Sequence, residues 1–484
     1  MKFDHAPTNE ILKWFEEITR IPRCSKNEEK IAAWLMDWAK KNGFEARMDK
    51  VKNIVIKIPP SAGFEKSPIV VIQGHMDMVC EKTPDSTHDF TKDPIKLVYE
   101  GEWLTADRTT LGADNGIAIA MALAMAMDKT VKHPPLELLF TVDEETGLTG
   151  ANALEPGFIE GKILINVDSE DEGVFTVGCA GGVNTRSILP LNFEELPVGY
   201  KAYKLTSSGM KGGHSGIDIA KGKANAIQIL GRTLHAILNE NVDARIANVK
   251  GGSAHNAIPR DAEAVVFLAE AEAAKAANTV TKASTLFLDE FKTTDPDLKA
   301  TIAPASGKFN KALTAKDTRR VVDFILAMPH GVAAMSPHIP GLVETSNNFA
   351  KISIEDNALN VLTSQRSSVI SRLKAHTAKI EAVAKLAGGD AKTSEGYPPW
   401  QPNMDSPLLA RSVKLYESMF HKKPVVEVIH AGLECGIIGD KNPGMDMISL
   451  GPDLKYPHSP DEKIHIGAIG KVWDFLVALL ATMK

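Results

Sequence analysis

The sequence predicts an α/β fold, in which a layered domain with a mainly parallel sheet is interrupted by an α+β insert. Strand-like and helix-like segments alternate up to about residue 185, and the same pattern returns after about residue 395. The length of 484 residues also exceeds what one hydrophobic core usually supports. We therefore predict that residues 1–185 and 395–484 form one domain and that residues 186–394 form the insert.

Two amphipathic helices are expected to lead the chain, in "EILKWFEEITRI" and in "IAAWLMDWAKKNGF". Ser25 and Glu28 have the spacing of a capping box for the second helix. The pattern then predicts strands in "NIVIKI" and "IVVIQGHMD", a buried helix in "GIAIAMALAMAM", and strands in "LELLFTV" and "ILINVD". The methionines of that helix indicate core packing rather than a metal-binding stripe. Strands that alternate with helices favour a largely parallel sheet.

The insert has a different pattern of predicted strands and helices. A glycine-rich segment, "YKLTSSGMKGGHSGID", precedes the helix "KANAIQILGRTLHAIL", and a strand pair is expected in "ARIANVKGGSAHNAIPRDAEAVVFLAE". A second round of strands and helix follows in "FAKISIEDNALNVLTSQRSS" and "VISRLKAHTAKIEAVAKLAG". The α/β pattern resumes with "PVVEVIHAGLECGII" and "DMISLGP" and closes in the helix "IGAIGKVWDFLVALLATMK". The first domain is therefore expected to be discontinuous.

The charge pattern argues against two classes of partner. Asp and Glu outnumber Lys and Arg by 61 to 55, and no run of basic residues stands out. This argues against binding to nucleic acid or to a membrane surface, and it leaves a small molecule or a second copy of the chain as the expected partner.

The sequence also predicts a soluble, unexported protein of the cytoplasm. The opening "MKFDHAPTNEILKW" lacks the apolar core of a signal peptide, and the apolar run from Ile117 to Met127 is too short to cross a bilayer. The four cysteines are far apart and form no C-x-x-C pair, so neither a disulfide framework nor a thiolate zinc site is expected. A reducing compartment fits this pattern.

Several residues of the kind that bind metal ions follow predicted strands. His75 and Asp77 come after "IVVIQG", Glu144 and Glu145 after "LELLFTV", and Asp168 after "ILINV". In an α/β sheet the ligand site lies beyond the carboxyl ends of the strands. Three strands are therefore expected to deliver carboxylates or imidazole to one edge of the sheet.

Taken singly, these residues have ordinary alternatives. A lone H-x-D motif is more often a surface pair, and Asp114 in "TLGADNGIAIA" has the position of a helix N-cap. His458 lies in the Pro-rich segment "YPHSPDE", where a single histidine is unremarkable. In "LLFTVDEETGLTG", however, three adjacent acids cannot all point the same way, which implies different roles for Asp143, Glu144 and Glu145.

Taken together, the motifs resemble a known family. The order is "HMD", "LGADNG", "DEETG", a strand that ends in Asp, an insert with "GGHSG", and "PHSPDE". It is similar to that of the co-catalytic zinc metallopeptidases of the aminoacylase and carnosinase type, and the resemblance covers essentially the whole chain. Within the family, "HMDMV" and the spacer "CEKTPDSTHDFTKDPIKL" look most like the Xaa-His dipeptidases. The resemblance implies a zinc-peptidase-like catalytic domain interrupted by a lid and dimerisation domain.

The resemblance also implies a dinuclear centre with two zinc ions per subunit, for which Co²⁺ or Mn²⁺ could substitute. One ion would be held by His75 and Asp168, the other by Glu145 and His458, and Asp114 would bridge both. All five offer the nitrogen or oxygen ligands that these metals accept. Two ions about 3.5 to 4 Å apart can share one carboxylate and one water.

Other residues would orient these ligands or move protons. Asp77 would accept the free imidazole N–H of His75 and so orient it. Glu144 would be the general base that takes a proton from water and passes it to the leaving amine. Asp143 is expected either to have a structural role or to support a metal ligand without binding the metal itself.

The insert would complete the site. The resemblance implies that His214 acts in the site of the other subunit of a two-fold dimer, where it stabilises the oxyanion. Asn256 and Arg366 match substrate-contact positions, the latter suited to a peptide carboxylate, and Glu434 could receive the substrate's amino group. A solvated polar role is the alternative for these three. A cis peptide between Asp114 and Asn115 is also implied.

Three other functions compete with an Xaa-His dipeptidase. An aminotripeptidase or an N-acyl amino acid deacylase of the same superfamily would share these motifs. A catalytically dead relative that only binds peptides would lack a ligand or the base, but all of them are present in the sequence. The segment "GGHSGI" does not match a nucleophile elbow, because Ile217 stands where G-x-S-x-G requires glycine.

Overall fold

The computed structural model describes residues 3–196, 198–307, 309–337 and 339–484. Its α-helices are α1 (Ala6–Thr19), α2 (Glu29–Lys41), α3 (Ala113–Met127), α4 (Glu144–Gly147), α5 (Thr149–Ala153), α6 (Ala226–Asn239), α7 (Ala273–Phe291), α8 (Ala315–Ala327), α9 (Ile370–Leu386), α10 (Pro407–Phe420), α11 (Glu434–Lys441) and α12 (Ile466–Ala481). Single 3₁₀ turns span Ile219–Lys221 and Glu270–Glu272.

The strands are β1 (Glu45–Met48), β2 (Ile54–Ile58), β3 (Val70–His75), β4 (Leu97–Glu100), β5 (Trp103–Ala106), β6 (Leu136–Thr141), β7 (Ile163–Asn166), β8 (Val174–Cys179), β9 (Gly181–Pro190), β10 (Phe193–Glu195), β11 (Tyr200–Ser208), β12 (Gly213–His214), β13 (Arg245–Gly251), β14 (Ala257–Ile258), β15 (Ala262–Ala269), β16 (Lys299–Pro304), β17 (Lys311–Leu313), β18 (Gly331–Met335), β19 (Val343–Glu355), β20 (Ala358–Ser367), β21 (Asp390–Thr393), β22 (Val425–Ile429), β23 (Asp446–Ser449), β24 (Leu454–Lys455) and β25 (Lys463–His465).

The chain divides into two compact units. The first contains residues 1–179, 400–428 and 433–484, and the second contains residues 180–399 and 429–432. The units change at residues 179/180 and 399/400, whereas the sequence prediction has 185/186 and 394/395. A short return of the chain to the second unit at residues 429–432 was not anticipated.

The first unit is built on a sheet with the order β1-β2-β6-β3-β7-β23-β8-β22 among the described residues. In its centre, β3 is parallel to both β6 and β7, and β7 is parallel to β23. β2 and β8 add to this centre in the antiparallel sense. The predicted α/β architecture is confirmed, with parallel strands at the centre of a mixed sheet.

The central strands are apolar because both faces of the sheet are covered. Every residue of β3 and of β6 is buried, as is usual for parallel strands. The helix α3 packs against β3 and α1, and it is buried from Asn115 to Met125, so it needs no polar face. The carboxyl ends of β6, β3 and β7 therefore meet at one edge, with His75 as the last residue of β3.

The second unit contains an antiparallel sheet in the order β16-β11-β15-β13-β19-β20-β9-β21, to which β18 adds alongside β19. The helices α6, α7 and α8 pack together, and α9 lies against β9, β20 and β21. Its apolar core includes Leu230, Val266, Phe324, Phe349 and Ile380, all fully or nearly fully buried. The α+β character predicted for the insert is confirmed.

The predicted capping box before α2 is wrong. The helix begins at Glu29, and the hydroxyl of Ser25 donates instead to the carboxylate of Asp77 at 2.7 Å. The carboxylate of Glu28 accepts hydrogen bonds from the backbone N–H groups of Lys26 and Asp143. Ser25 is thus used in a tertiary contact, and Glu28 in one local and one tertiary contact, so the two do not form a reciprocal cap.

The cysteine prediction also needs correction, because Cys24 and Cys80 form a disulfide. They are 56 residues apart in sequence, a separation from which no pairing could be inferred. The segments come together because Cys24 forms a parallel bridge with Met78, supported by hydrogen bonds from Met78 N to Arg23 O and from Ser25 N to Met78 O. The disulfide therefore joins the segment before α2 to the segment after β3.

Among the described residues, no helix combines the length and the apolar composition that a bilayer span requires. The apolar run identified in the sequence forms α3, which has 15 residues and is buried inside the first unit.

Candidate metal centre and catalytic residues

The residues predicted at the strand ends lie on one edge of the first unit. His75 ends β3, Glu144 and Glu145 begin the short helix α4 after β6, and Asp168 follows β7. Asp114 lies at the start of α3, where its backbone is not helical, and the predicted cis peptide between Asp114 and Asn115 is present. The structure brings these residues together from separate parts of the chain.

Two groups of possible metal ligands share Asp114. In the first, His75 Nε2 lies 3.1 Å from Asp114 Oδ1 and 3.5 Å from Asp168 Oδ1. In the second, His458 Nε2 lies 3.0 Å from Asp114 Oδ2 and 3.0 Å from Glu145 Oε2. The ligand atoms of each group all lie within 4.8 Å of one another. Each carboxylate oxygen of Asp114 therefore faces a different imidazole.

The donor set fits two divalent cations. Three carboxylates and two imidazoles provide only nitrogen and oxygen ligands, which suits zinc and similar first-row metals. Glu145 Oε1 is buried and has no hydrogen-bond partner, so an acceptor remains for an ion to satisfy. Half of the His458 side chain is exposed, whereas the Glu145 side chain is buried, so the second group opens to solvent on its histidine side.

The pKa shifts of the two histidines also fit a site for cations. Burial opposes a charge on His75, but Asp168, Asp114 and Asp77 outweigh it and raise the pKa of the imidazole well above its usual range. Hydrogen bonds to Asp114 and Glu145 raise the pKa of His458 to about 11. Positive charge is therefore stabilised where the ligands converge, and metal ions would take the place of these protons.

Asp77 has the contacts of an orienting residue. Its Oδ1 lies 3.2 Å from His75 Nδ1, which leaves His75 Nε2 facing the first group. The carboxylate also accepts the backbone N–H groups of Glu144 and Glu145 and the Ser25 hydroxyl. Although burial favours the neutral acid, the hydrogen bonds to His75 and these donors lower the pKa of Asp77 to about 2.

The three adjacent acids have different surroundings. Asp143 precedes α4 with φ +48°, and its carboxylate accepts hydrogen bonds from the hydroxyls of Thr146 and Thr149. Glu145 belongs to the second ligand group. Glu144 makes no ion pair in the described part of the chain, and burial raises the pKa of its carboxyl well above its usual range.

Glu434 is almost fully buried. Its side chain, at the start of α11, is 1% exposed, and Oε2 accepts from Gln73 Nε2 and Thr141 Oγ1, both at 2.6 Å. Its Oε1 is buried without a hydrogen-bond partner. Burial raises the pKa of Glu434 to about 7.

The predicted residues of the insert lie in the second unit. His214 is in β12, and its Nδ1 accepts from the backbone N–H groups of Gly216 and Ile217, each at 3.2 Å, so that Nε2 carries the proton of the neutral ring. Burial, with a smaller effect from Arg366, lowers the pKa of His214. Asn256 is exposed, and its backbone carbonyl accepts a hydrogen bond from the backbone N–H of Ser215.

Arg366, on β20, is buried. Its Nη1 donates to Tyr397 Oη at 2.7 Å, and its Nε has no hydrogen-bond partner. A buried guanidinium with an unused donor suits recognition of an anion, because an unpaired buried donor is costly.

Sequence reasoning missed two buried charged residues beside the first-unit site. Glu462 accepts hydrogen bonds from four consecutive backbone N–H groups, and Arg23 donates to three carbonyls. Glu462 is part of the "PHSPDE" motif, and the glycines of "LGADNG" lie against Arg23. The two motifs could have drawn attention to Glu462 and to the glycines, but no pattern in the sequence links Arg23 to either motif.

Residues 71–482 match the model of peptidase family M20/M25/M40. The chain belongs to this family, which confirms the predicted resemblance, and it is an enzyme, a metallopeptidase that hydrolyses peptide bonds.

Two similar proteins cover nearly the whole chain. The cytosol non-specific dipeptidase of Escherichia coli K12 is 40% identical over 468 residues, which are 96% of this chain and 96% of the relative. Aminoacylhistidine dipeptidase from Vibrio alginolyticus, known from a crystal structure, has 40% sequence identity to this chain and a TM-score of 0.91. The match covers 100% of this chain and 98% of the Vibrio chain. Aminopeptidase PepT from Bacillus cereus, at 16% identity and a TM-score of 0.57 over 98% of both chains, shares the fold.

Proposed function

We propose that this enzyme is a dinuclear zinc dipeptidase that hydrolyses Xaa-His and related dipeptides such as β-alanyl-histidine. The observation that carries the proposal is the pair of ligand groups that share Asp114 beside Glu144. The names of the two 40%-identical relatives support dipeptides as substrates, and that of the Vibrio alginolyticus protein supports a histidine in the second position.

The metal ligands in this proposal are the residues of the two groups. His75 and Asp168 would hold one ion, and Glu145 and His458 would hold the other. Asp114 would contribute to both groups. Zinc fits the mixed nitrogen and oxygen donors, and Co²⁺ or Mn²⁺ could substitute. When bound, the ions would polarise the scissile carbonyl and make water more acidic. Asp77 would keep Nε2 of His75 aimed at its ion.

Glu144 would carry the proton between water and the leaving group. Its raised pKa favours holding a proton once one has been taken from the attacking water. The same carboxyl would then give that proton to the amine nitrogen as the peptide bond breaks. Because Glu144 belongs to neither ligand group, its loss should leave the ligands intact.

The remaining predicted residues would bind the substrate. His214, with its proton on Nε2, would donate to the oxyanion that forms at the scissile carbonyl. Arg366 would bind the terminal carboxylate with its unused donor, and Asn256 would add a polar contact. Glu434 would receive the substrate's amino group through its unpartnered Oε1.

His214 is proposed to act in the partner subunit of a two-fold dimer joined through residues 186–394. We also propose a cytosolic location, supported by the name of the Escherichia coli relative. Disulfides are rare in the reducing cytosol, so within that compartment we expect Cys24 and Cys80 to be reduced.

The test combines metal content with a matched set of substrates. Purified enzyme would be assayed with β-alanyl-histidine, alanyl-alanine, alanyl-alanyl-histidine and N-acetyl-histidine, before and after removal and return of zinc. We expect about two metal ions per chain and the highest kcat/KM for the Xaa-His dipeptide. Faster cleavage of the tripeptide would indicate an aminotripeptidase, and faster cleavage of N-acetyl-histidine would indicate a deacylase.

A further inference from the structure

Glu462 makes an unusual set of contacts with the segment that leads into Asp114. Its side chain is only 2% exposed. Oε2 accepts from the backbone N–H groups of Leu111 at 2.9 Å and Gly112 at 3.0 Å, and Oε1 accepts from those of Ala113 at 2.8 Å and Asp114 at 3.3 Å. One carboxylate thus satisfies four consecutive donors at a place where the backbone does not follow a regular helix.

Arg23 holds the same segment from its carbonyl side. This arginine is also 2% exposed, and its Nη2 donates to Gly112 O. Its Nη1 donates to Met76 O at 3.1 Å and to Asp77 O at 3.0 Å. The guanidinium therefore joins residues 111–114 to the segment that follows His75, and its charge interacts favourably with Glu462.

The glycines of "LGADNG" make room for this arginine. A Cβ added to Gly112 would lie 2.5 Å from Arg23 Nη2, and one added to Gly116 would lie 2.6 Å from the same atom. Gly112 also has φ +70°, which disfavours any residue with a side chain. The motif is thus shaped around the buried guanidinium.

We propose that Arg23 and Glu462 are positioning residues that hold Asp114 so that its two carboxylate oxygens face different ligand groups. Glu462 lies four residues after His458 in sequence, and Arg23 binds the carbonyl of Asp77. The pair therefore ties together the segments that carry ligands of both groups. This inference rests on the proposed function, because it assumes that Asp114 holds the metal ions.

The test compares Glu462→Gln with Asp461→Asn. The first variant keeps the shape of the side chain but turns an amide NH₂ toward backbone N–H groups. The second removes the same charge from the adjacent, exposed residue. Zinc affinity would be measured by competition with a chromophoric chelator, together with kcat, KM and the thermal unfolding of the metal-free proteins.

We expect Glu462→Gln to bind zinc on the order of 10- to 100-fold more weakly and to lower kcat more than it changes KM, as loss of an outer-shell partner typically does. Asp461→Asn should match the wild type in every readout. If the two residues act as a unit, Arg23→Met should weaken zinc binding similarly, and the double variant should lose less than the product of the single losses.

Other outcomes separate this inference from the function on which it rests. If the wild-type enzyme binds no zinc or cleaves no dipeptide, the proposed function itself fails. If the wild type behaves as expected but folded Glu462→Gln has wild-type zinc affinity and kcat, the positioning role is overturned. Should Glu462→Gln not fold, Glu462→Asp and Arg23→Lys are measured instead, and wild-type affinity and kcat in either folded variant overturn the role equally.

Discussion

At the scale of single residues, neighbouring acids in one segment acquire different chemistry from their surroundings. Asp143 is bonded to two threonine hydroxyls, Glu145 faces His458, and Glu144 is left with a raised pKa and no ion pair among the described residues. Burial and hydrogen bonding, rather than residue type, therefore separate a turn-forming acid from a candidate ligand and a candidate base.

The first prediction is that Glu144→Gln retains both metal ions and loses almost all turnover. The variant removes a proton acceptor without removing a ligand, and loss of a general base typically lowers kcat 10²- to 10⁴-fold. Metal content by elemental analysis and kcat with β-alanyl-histidine would be measured on the same sample. Undiminished hydrolysis would show that Glu144 is not the base.

The second prediction concerns the ligands. His75→Ala or His458→Ala should lower the metal content itself, because each leaves its group with two carboxylates and no imidazole. The measurement is elemental analysis after dialysis, and Glu144→Gln is the matched control that should stay loaded. Full metal content in both histidine variants would contradict the ligand assignment.

The third prediction uses His330, which belongs to the second unit, whereas the proposed metal ligands belong to the first. Its Nδ1 accepts from the backbone N–H of Phe349 at 3.3 Å, and burial lowers the pKa of His330 to about 4. The unfolded chain therefore binds a proton more readily. The contribution of neutral, buried His330 to the free energy of unfolding is fully present above about pH 6.5 and is lost as the pH falls from about 6.5 to about 4.

Urea unfolding at pH 7.5 and pH 5 would test this effect. The wild type should lose about 1 to 2 kcal/mol more stability over that interval than His330→Gln, since one pKa unit corresponds to about 1.4 kcal/mol. His421→Asn, which replaces an exposed histidine, is the matched control. Equal losses in the wild type and in His330→Gln would contradict the prediction.

At the scale of elements, the site depends on where strands end and on how loops are joined. The parallel ladders of β6, β3 and β7 align their carboxyl ends, so residues far apart in sequence meet at one edge. The Cys24–Cys80 disulfide joins two segments beside that edge, one of which contains Ser25, the hydroxyl donor to Asp77.

The fourth prediction is that the disulfide stabilises the oxidised protein. Closing a loop between residues 56 apart restricts the unfolded chain, and such links typically contribute about 2–4 kcal/mol. Reductant should lower the urea midpoint of the wild type, whereas a Cys24→Ser/Cys80→Ser variant should start lower and not respond. Non-reducing peptide mapping checks the bond directly, and thiols at both Cys24 and Cys80 in oxidised protein would contradict it.

At the scale of the whole molecule, the proposed dimer makes a test of shared sites possible. If each site uses Glu144 of one chain and His214 of the other, the fifth prediction is that Glu144→Gln and His214→Ala are each nearly inactive but restore activity when mixed. Random reassembly gives about half mixed dimers, each with one intact site out of two, so about a quarter of wild-type activity should return.

The control for this experiment is proof that subunits exchange, for instance with one variant carrying a tag. Verified exchange without recovered activity would show that His214 acts within its own chain or does not act at all. A wild-type protein that remains monomeric at assay concentrations would contradict the dimer itself.

Local periodicity in the sequence predicted the strands and helices around the site and the change of pattern at the insert, but not helices such as α7, α8 and α10, and the short motifs carried the resemblance to the family. It also pointed to the residues at the strand ends, because His75, Glu144 and Asp168 come at or just after predicted strands. Only the tertiary structure decided the partners of Ser25, Glu28, Cys24, Arg23 and Glu462. Their contacts join residues that are distant in the chain, and no periodicity links such residues. A short motif also cannot show which charged side chains must be paired, because that need arises only when the fold removes water from around them.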